Sequence, residues 1–266
     1  MKPAISVIIP CYNDGIFLKE TISKLKLQTF KDFEIIIVDD GSTDSYTLDV
    51  FIQLKEEEQI KIYRTANQRM SAARNFGIEK AHAELIVTLD ADDYFDKSFF
   101  QKALNILNKD KNIAVVSCYI QNFGLNKNLF KPRGGNIYNF LFSNQCAMCA
   151  MFRKSVWNEV GKFDEQMKLG YEDWEFFIRV TANGYDIKII PEVLFFYRQT
   201  KKSTLKNDTI PNEKEIVEYI IDKHSELYKN KLTELIIKKE VLYTESRISW
   251  QNIMKMISNR LKGKYK

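Results

Sequence analysis

The chain has 266 residues, of which 45% are hydrophobic and 28% charged, a composition typical of a soluble globular protein built as one sizeable domain with an appendage. Its two histidines, His82 and His224, argue against a histidine-based zinc site and a Ser-His-Asp triad, so carboxylates would have to carry any acid–base chemistry. The formal net charge of +5 comes from residues 201–266, which hold 15 Lys and Arg against 9 Asp and Glu, and this local excess argues against nucleic-acid binding by the whole protein.

The first hundred residues alternate between strand and helix patterns. Short apolar runs typical of buried strands cover residues 5–9, 34–38, 59–63 and 85–89, and segments typical of helices cover residues 17–27, 43–55, 71–81 and 97–108. Apolar strands that alternate with helices predict a parallel sheet covered on both faces. Because ligands bind at the carboxyl ends of the strands in such sheets, we expect a site in the loops that follow them.

The second half of the chain is less regular. Apolar segments cover residues 113–120 and 146–152, two strands are predicted over 187–190 and 193–197 around Pro191, and helical patterns cover 173–183 and 213–261. Residues 122–139 are rich in Gly and Asn, which predicts a long loop with the composition of a mobile flap.

The cysteines and the N-terminus bear on the compartment. The four cysteines, at positions 11, 118, 146 and 149, lack the spacing of a disulfide framework, which favours a reducing compartment. The apolar neighbours of Cys146 and Cys149 favour buried thiols over a redox pair. The sequence shows no signal-peptide pattern and no apolar run of about 18 residues. We therefore expect a cytoplasmic protein, or one peripheral to the cytoplasmic face of the inner membrane.

The run over residues 85–89 leads into a dense acidic sequence, Asp90-Ala91-Asp92-Asp93. Since side chains alternate along an extended chain, Asp90 and Asp92 should point to one side and Asp93 to the other. Carboxylates held together at a strand end repel each other, and Mg²⁺ or Mn²⁺, which prefer oxygen ligands, would relieve that repulsion. A turn that caps the following helix is the alternative at this point.

Two earlier strand ends carry further polar groups. Asp39 and Asp40 follow the second strand, where a carboxylate is able to accept from the imide N–H of a uracil ring and Gly41 allows a close backbone approach; a capped turn is the alternative. Tyr12 follows Pro10 at the end of the first strand, where its ring would either stack on a base or pack against the protein.

Charged residues also stand on predicted helices. Arg74, which follows small residues, would either reach a nucleotide or diphosphate or form a structural ion pair. Glu172 and Asp173 begin a helix, where they are candidates for a general base acting on a hydroxyl, with an N-terminal cap as the alternative. Tyr171 and Trp174 beside them offer either a sugar-stacking surface or core packing.

Five motifs in a fixed order give the chain a family resemblance over roughly residues 4–200. They are SVIIPCYN (6–13), VDDGSTD (38–44), ARNFG (73–77), LDADD (89–93) and EDW (172–174), and VGKFDE (160–165) matches the segment before the last of them. With these motifs the chain resembles an inverting family 2 glycosyltransferase of the bacterial polysaccharide or O-antigen type. The resemblance implies the GT-A fold, a Rossmann-like α/β fold whose mostly parallel central sheet is flanked by helices. It also implies a glycosyltransferase domain over residues 1–205, with a nucleotide-binding half (1–110) and an acceptor-binding half (111–205), and a C-terminal helical extension over 206–266.

The resemblance also implies roles for the site residues. Asp173 would be the catalytic base with Glu172 beside it, and Asp92 would hold the Mn²⁺ or Mg²⁺ ion. The residues implied in nucleotide binding are Pro10, Tyr12, Asp39, Asp40, Arg74 and Asp90, with Asp40 at the base and Asp90 near the ribose. Donor or acceptor contacts are expected from Asp93, Trp174 and Arg198. The Q-x-x-R-W motif of processive members is missing, which predicts transfer of one sugar per encounter.

The implied partners are a nucleotide-sugar donor, chiefly a UDP-sugar, and a saccharide or lipid-linked saccharide acceptor. The basic segment 255–266 is a candidate for contact with an anionic membrane surface, with a solvated tail as the alternative. Two other classes compete with the transferase: a non-catalytic sugar-nucleotide-binding subunit, and a sugar-1-phosphate nucleotidyltransferase. The second would need a Gly-rich phosphate loop, whereas the segment after the first strand has one glycine, Gly15.

Overall fold

The alternating elements of the first hundred residues fold into a parallel sheet. The structure is a computed structural model that describes residues 2–200 and 205–237. Its first strands are β1 (Ile5–Cys11), β2 (Phe33–Asp39), β3 (Ile60–Arg64) and β4 (Leu85–Thr88), and the helices between them are α1 (Gly15–Lys26), α2 (Ser45–Leu54) and α3 (Met70–Lys80). β1 pairs in parallel with β2 and β4, and β2 pairs in parallel with β3. The carboxyl ends of β1, β2 and β4 therefore lie side by side.

The later strands extend the same sheet with mixed directions. The elements that follow are β5 (Tyr94–Phe95), α4 (Phe99–Lys109), β6 (Ile113–Gly124), β7 (Leu129–Phe130), α5 (Ile137–Phe140), β8 (Met151–Arg153), α6 (Lys154–Glu159), α7 (Glu172–Ala182) and β9 (Asp186–Gln199). Across the described ranges the sheet order is β3-β2-β1-β4-β8-β6-β9-β5, and β7 pairs with β6. Because β8 is antiparallel to both β4 and β6, while β9 is parallel to β6, the strands β4, β6 and β9 point the same way. The predicted α/β class is confirmed, and the strands β1 to β4 are all parallel.

Close helix-on-strand packing anchors the strand ends. Every residue of β1 is buried, and burying an Ile or Val side chain contributes about 1.5–3 kcal/mol. A Cβ atom on Gly77 of α3 would lie 2.5 Å from the Cγ2 atom of Ile8, so the absence of a side chain there lets the helix lie directly on the strand. The strand ends from which these loops begin are therefore held in place by packing.

The loop predicted over residues 122–139 is wrong in part. Strand β6 continues to Gly124 because it pairs with β9 as far as Gly124 and Gln199, and the chain then returns as β7. Helix α5 lies in the same segment, with the Asn136 side chain accepting from the backbone N–H of Tyr138. The Gly and Asn residues that suggested a loop serve as turn and cap residues between these short elements.

The two strands predicted around Pro191 form one strand, β9. The register against β6 passes from Ile190 opposite Cys118 to Val193 opposite Tyr119, which leaves Pro191 and Glu192 in an exposed bulge. Proline has no N–H to donate to a ladder, so a bulge is a position that tolerates it without ending the strand.

The C-terminal part is helical as far as it is described. A π-helical segment (Leu205–Thr209) precedes α8 (Glu213–Lys223) and α9 (Ser225–Ile237). The chain divides into two compact units between Tyr219 and Ile220, within α8. The predicted domain boundary at 205 stays a prediction, and the helical pattern beyond 237 and the basic segment 255–266 lie outside the described residues. None of the helices in 2–200 and 205–237 is both long enough and apolar enough to cross a bilayer.

All four cysteines are free and buried. Burial raises the pKa of the Cys11 and Cys118 thiols to about 12, and it also raises the pKa of Cys146 and of Cys149. Thiols in this state stay protonated at neutral pH, which fits the buried thiols predicted for Cys146 and Cys149.

Candidate active site

The loops after β1 and β2 are tied together by Asn13. Its backbone has the left-handed value φ 57°, and its Oδ1 atom accepts from the backbone N–H groups of Thr43 and Asp44 at 2.8 and 2.9 Å. Asn is among the residues that tolerate this backbone conformation. Pro10 is buried at the end of β1, and Tyr12 is 47% exposed beyond it. The Tyr12 ring is therefore presented to solvent at the carboxyl edge of the sheet.

The carboxylates of Asp39 and Asp40 are both buried and both accept hydrogen bonds from their own surroundings. Asp39 accepts from the backbone N–H of Ser42 at 2.7 Å and forms an ion pair with Arg64 at 3.0 Å. Asp40 accepts from the backbone N–H groups of Gln68 and Arg69, each at 3.0 Å. Burial raises the pKa of Asp40, and these hydrogen bonds oppose the rise. The two side chains thus hold the turn together, and a contact with a base stays a prediction.

Arg74 joins two acidic motifs that lie far apart in the sequence. Its side chain is 1% exposed, with Nη2 2.7 Å from Asp90 Oδ1 and Nη1 2.6 Å from Glu172 Oε1. The two carboxylates raise the pKa of Arg74 against the opposing effect of burial. The predicted alternative of a structural ion pair is therefore the observed arrangement, while a direct contact between Arg74 and a nucleotide stays a prediction.

The acidic loop after β4 presents its carboxylates as the alternation predicts. Asp90 and Asp92 are partly exposed, whereas Asp93 is fully buried and its Oδ1 atom accepts from the backbone N–H of Arg198 at 2.7 Å. Burial and the nearby Asp90 and Asp14 carboxylates raise the pKa of Asp92 to about 7. Burial and the neighbouring acids also raise the pKa of Asp93 well above its usual value.

Arg198 fastens this loop to the rest of the sheet. Its Nε atom donates to the carbonyl of Asp92 at 2.9 Å, and its Nη2 atom is 2.6 Å from the carboxylate of Glu20. The guanidinium lies 4.6 Å from the ring centre of Phe17 and 4.5 Å from that of Phe123. Arg198 therefore positions the loop, and the donor or acceptor contact expected of it stays a prediction.

The second acidic motif begins helix α7. Asp173 accepts from the Asn144 side chain at 2.9 Å and from the backbone N–H of Trp174 at 2.7 Å. Burial and the adjacent Glu172 raise the pKa of Asp173 to about 7, while the hydrogen bond from Asn144 opposes the rise. A carboxylate in this state is able to take up a proton near neutral pH.

The aromatic residues of this motif pack rather than project. Trp174 is buried, donates from Nε1 to the carbonyl of Phe140 at 2.6 Å, and meets the ring of Tyr171 edge to face. Tyr171 has a left-handed backbone, φ 60°, at the start of α7. Core packing is thus the observed arrangement of Trp174, and the predicted contact with a sugar stays a prediction.

A second buried ion pair anchors α7. Glu175 is fully buried and lies 2.7 Å from Arg179 one turn later, and Arg179 also donates to the carbonyl of Val160 at 2.7 Å. Asn75 of α3 donates to the carbonyl of Phe163 at 2.9 Å, so α3 is fixed to the segment that precedes α7. The segment before α7 is therefore bound to α7 through Arg179 and to α3 through Asn75, and these contacts fix the position of Glu172 and Asp173.

The acidic loop contains a group of side chains that fits a cation. Ligand atoms of Asp90, Asp93 and Cys149 lie within 4.8 Å of one another. Asp93 Oδ2 is buried and has no hydrogen-bond partner among the residues that the structure describes. The carboxylates suit a divalent cation that prefers oxygen, whereas a protonated Cys149 thiol is a poor ligand. Asp92, the predicted metal ligand, lies in the same loop but outside this group.

Two of these contacts escaped the sequence prediction. Asn144 lies in the segment with no recognisable motif, between the polar residues Ser143 and Gln145, so nothing in the sequence singles it out. Asn13 stands inside the first motif, where its ability to adopt the left-handed conformation was the usable signal. Both act on other side chains or on backbone, which a residue-by-residue search for reactive groups does not detect.

The resemblance to glycosyltransferases implies an α/β sheet with acidic loops at the carboxyl ends of its strands and a helix that begins with Glu172 and Asp173. The structure contains both and joins them through Arg74. The family model of glycosyl transferase family 2 matches residues 6–161, more than half of the chain. The chain belongs to this family.

Its curated relatives carry related names. The chain is 27% identical over 219 residues to the uncharacterized glycosyltransferase EpsJ of Bacillus subtilis, covering 76% of this chain and 63% of EpsJ. It is 30% identical over 207 residues to an uncharacterized glycosyltransferase of Methanocaldococcus jannaschii, covering 74% of this chain and 71% of that protein. A Rickettsia conorii relative is 31% identical over 163 residues, which are 61% of this chain but 27% of the relative. The chain thus spans only part of the length of these proteins.

Solved structures share the fold. Staphylococcus aureus TarS 1-349 in complex with UDP-GlcNAc aligns with a TM-score of 0.66 at 20% identity, covering 77% of this chain and 61% of that one. The same protein in complex with UDP aligns with a TM-score of 0.64 at 19% identity, covering 83% of this chain and 71% of that one. The chain has the GT-A fold, as the resemblance implied.

Proposed function

We propose that the chain is a metal-dependent inverting glycosyltransferase that transfers one sugar from a UDP-sugar to a hydroxyl of a saccharide or lipid-linked saccharide in cell-surface polysaccharide synthesis. The observation that carries the proposal is the Asp173 carboxylate, whose raised pKa suits a general base and which is linked through Glu172 and Arg74 to Asp90. Family membership supports transfer from a nucleotide sugar. TarS, a relative in fold, is described in complex with UDP and with UDP-GlcNAc, which supports uridine in the donor.

The donor would lie along the loops after β1, β2 and β4. The exposed ring of Tyr12 stacks on the base, beside Pro10 and the turn held by Asp39 and Asp40. Asp90 approaches the ribose, and Arg74 fixes the direction of the Asp90 carboxylate from behind. These assignments follow the family resemblance, and the order of the strands in the sheet supports them.

In this proposal Asp92 would hold the Mn²⁺ or Mg²⁺ ion. Repulsion from the neighbouring Asp90 and Asp14 carboxylates, which raises the pKa of Asp92, supports a cation here. When bound, the metal would neutralise negative charge on the diphosphate. Arg198 maintains the loop by holding the Asp92 carbonyl and the Asp93 carboxylate.

The transfer step balances with one base and one leaving group. The acceptor hydroxyl gives its proton to the Asp173 carboxylate while its oxygen forms a bond to the anomeric carbon. The bond between that carbon and the diphosphate oxygen breaks, and the nucleoside diphosphate leaves with the electron pair. Attack on the face opposite to the leaving group inverts the anomeric configuration. Asn144 keeps the Asp173 carboxylate in one orientation throughout.

Replacement of the base tests the proposal. We expect Asp173→Asn, measured in the purified full chain with Mn²⁺, the true acceptor and a panel of UDP- and GDP-sugars, to lower turnover by about 10²–10⁴-fold. Donor binding should remain, because the loops that bind the donor are unchanged. It is measured as an increase in the thermal stability of the protein when the donor is added. The exposed Asp32, replaced by Asn, is the matched control. Full transfer by Asp173→Asn would refute the assignment, and donor binding without metal-dependent release of UDP from the wild type would instead indicate a sugar-nucleotide-binding subunit.

A further inference from the structure

The turn between β6 and β7 exposes several large apolar side chains. In this 124–133 hairpin, Leu125 is 60% exposed, Leu129 is 45% exposed and Phe130 is 46% exposed. Folding does not bury them, so they add little to the stability of the isolated chain. Clustered exposed apolar groups of this kind mark interaction surfaces.

The same hairpin is positively charged. Lys127, Lys131 and Arg133 are all exposed. The sequence from Lys111 to Asn158 contains no Asp or Glu, so no acid of that segment offsets these charges. A surface that combines apolar and cationic side chains complements one that offers both acyl chains and anionic head groups.

Polar contacts, and not the exposed side chains, give the hairpin its shape. Asn126 Oδ1 accepts from the backbone N–H of Asn128 at 2.7 Å, and the Gln121 side chain donates to the carbonyl of Lys127 at 2.8 Å. Gly124 has φ +89°, and a Cβ atom there would lie 2.8 Å from the carbonyl oxygen of Gln199. Replacing the exposed apolar residues should therefore leave the hairpin folded.

The hairpin also stands next to the candidate active site. Strand β6 runs in the direction of β4, so its end lies at the edge of the sheet that carries the acidic loop. Phe123, the residue before the hairpin, packs on the Arg198 guanidinium that holds the Asp92 carbonyl. Whatever binds the hairpin is brought close to the donor site.

We propose that the 124–133 hairpin docks the protein on an anionic phospholipid bilayer. Leu125, Leu129 and Phe130 enter the boundary between head groups and acyl chains, and the three cations face the head groups. Successive residues of a strand point to opposite faces, so Leu129 and Phe130 make both faces of the hairpin apolar. A hairpin that is apolar on both faces suits insertion of its tip into the membrane interface, where lipid surrounds it on both sides. A protein partner would cover only one face of the hairpin. The proposal does not depend on the sugar or on the transfer reaction.

Vesicle binding by the full chain tests the proposal. We expect co-sedimentation with vesicles of equal parts phosphatidylcholine and phosphatidylglycerol, and little with phosphatidylcholine alone. Replacing Lys127, Lys131 and Arg133 by Gln should weaken binding about a hundredfold, since each such charge contributes about 1 kcal/mol near an anionic surface. Replacing Leu125, Leu129 and Phe130 by Ser should weaken binding about tenfold or more. Ile52→Ser, at a residue 63% exposed on α2, and Lys55→Gln beside it are the matched controls. Binding that both hairpin variants retain in full would overturn the proposal.

A site-specific fluorophore separates docking by the hairpin from docking by another part of the chain. The native thiols are buried and protonated, so Leu129→Cys offers one reactive thiol for an environment-sensitive dye. We expect its emission to shift to the blue on the anionic vesicles, and the emission of the same dye at Ile52→Cys to stay unchanged. No shift at position 129, or equal shifts at both positions, would contradict docking by the hairpin.

Discussion

Two carboxylates of the candidate site have their pKa raised to about 7 for different reasons. On the proposed donor side, the loop after β4, Asp92 is surrounded by acids, with Asp90 and Asp14 adding to the effect of burial. On the proposed acceptor side, the start of α7, Asp173 has one acidic neighbour, Glu172, and accepts hydrogen bonds from Asn144 and from backbone. Similar pKa values therefore arise in unlike surroundings.

The difference indicates what each group can do. Asp92 is flanked by acids, so a cation bound beside it would lower its pKa and favour its charged form. Asp173 has neutral donors that support the carboxylate while burial favours the acid, so it can hold or release a proton without a metal. One side is suited to bind an ion and the other to move a proton.

Removal of the link between the two sides should have the largest effect on stability. Arg74→Met leaves the Asp90 and Glu172 carboxylates without their cation, and we expect it to lower the free energy of unfolding by about 3–5 kcal/mol. Urea denaturation measures this, with the exposed Arg133→Met as control. Adding Glu172→Gln to Arg74→Met should recover part of the loss. A loss below about 1 kcal/mol, the range of an exposed ion pair, would show that the bridge does not join the two sides.

Replacing Asp92, the proposed metal ligand, should affect the proposed donor side alone. Asp92→Asn should lower turnover by about 10²-fold or more and weaken the dependence on Mn²⁺, because the diphosphate loses its countercharge. The pH at which Asp173 titrates should not move. Transfer assays across pH and Mn²⁺ concentration measure both, with the exposed Asp110→Asn as control. Unchanged Mn²⁺ dependence would remove Asp92 as the metal ligand.

The stability of the protein should show the same difference as pH changes. A carboxyl group whose folded pKa is raised holds its proton longer in the folded state, so in metal-free buffer the contribution of Asp92 and Asp173 to stability falls as pH rises from about 4 to about 7. Each of Asp92→Asn and Asp173→Asn should recover about 1–2 kcal/mol at pH 8 and almost nothing at pH 4. Mn²⁺ should cancel the gain of the first variant and preserve that of the second. If Mn²⁺ changes the stability gain of both variants equally, the metal does not distinguish Asp92 from Asp173, which would contradict the difference described above.

The smallest expected effect concerns the orientation of the base. Asn144 lowers the pKa of Asp173, so Asn144→Ala should move the acidic limb of the pH–rate profile to higher pH and reduce turnover about tenfold below its midpoint. Asn139→Ala is unsuitable as a control because Asn139 bonds the backbone of Asn136, and the exposed Asn108→Ala is suitable. An unchanged profile would mean that Asn144 does not act on the proton.

The sequence was sufficient for the first four strands of the fold. Strands β1, β2 and β4 are short and mostly apolar, and acidic or turn residues follow each of them, so parallel order and a site at their ends could be predicted. The acidic motif on α7 was equally visible. The contacts that connect these parts were not, because Arg74 meets Glu172 across 98 positions and Asn144 meets Asp173 across 29. Such pairs depend on how the elements pack.

Composition misled where short elements are made of turn residues. The segment after β6 has the Gly and Asn content of a loop, yet pairing with β9 extends the strand and side-chain caps build a hairpin and a helix. Pro191 predicted a break in a strand that continues through a bulge. In both places, hydrogen bonds to distant strands outweighed the local preference.

The place of β9 in the sheet has a consequence for synthesis on the ribosome. Strand β9 pairs along most of β6 and with β5, and it carries Arg198, although it is made after both of those strands. Until it emerges, one side of the long apolar strand β6 offers unpaired backbone groups, which is a hazard for association between nascent chains. The segment 6–161 that matches the family model lacks β9, so we expect the acidic loop to reach its final position only after β9 has been synthesised.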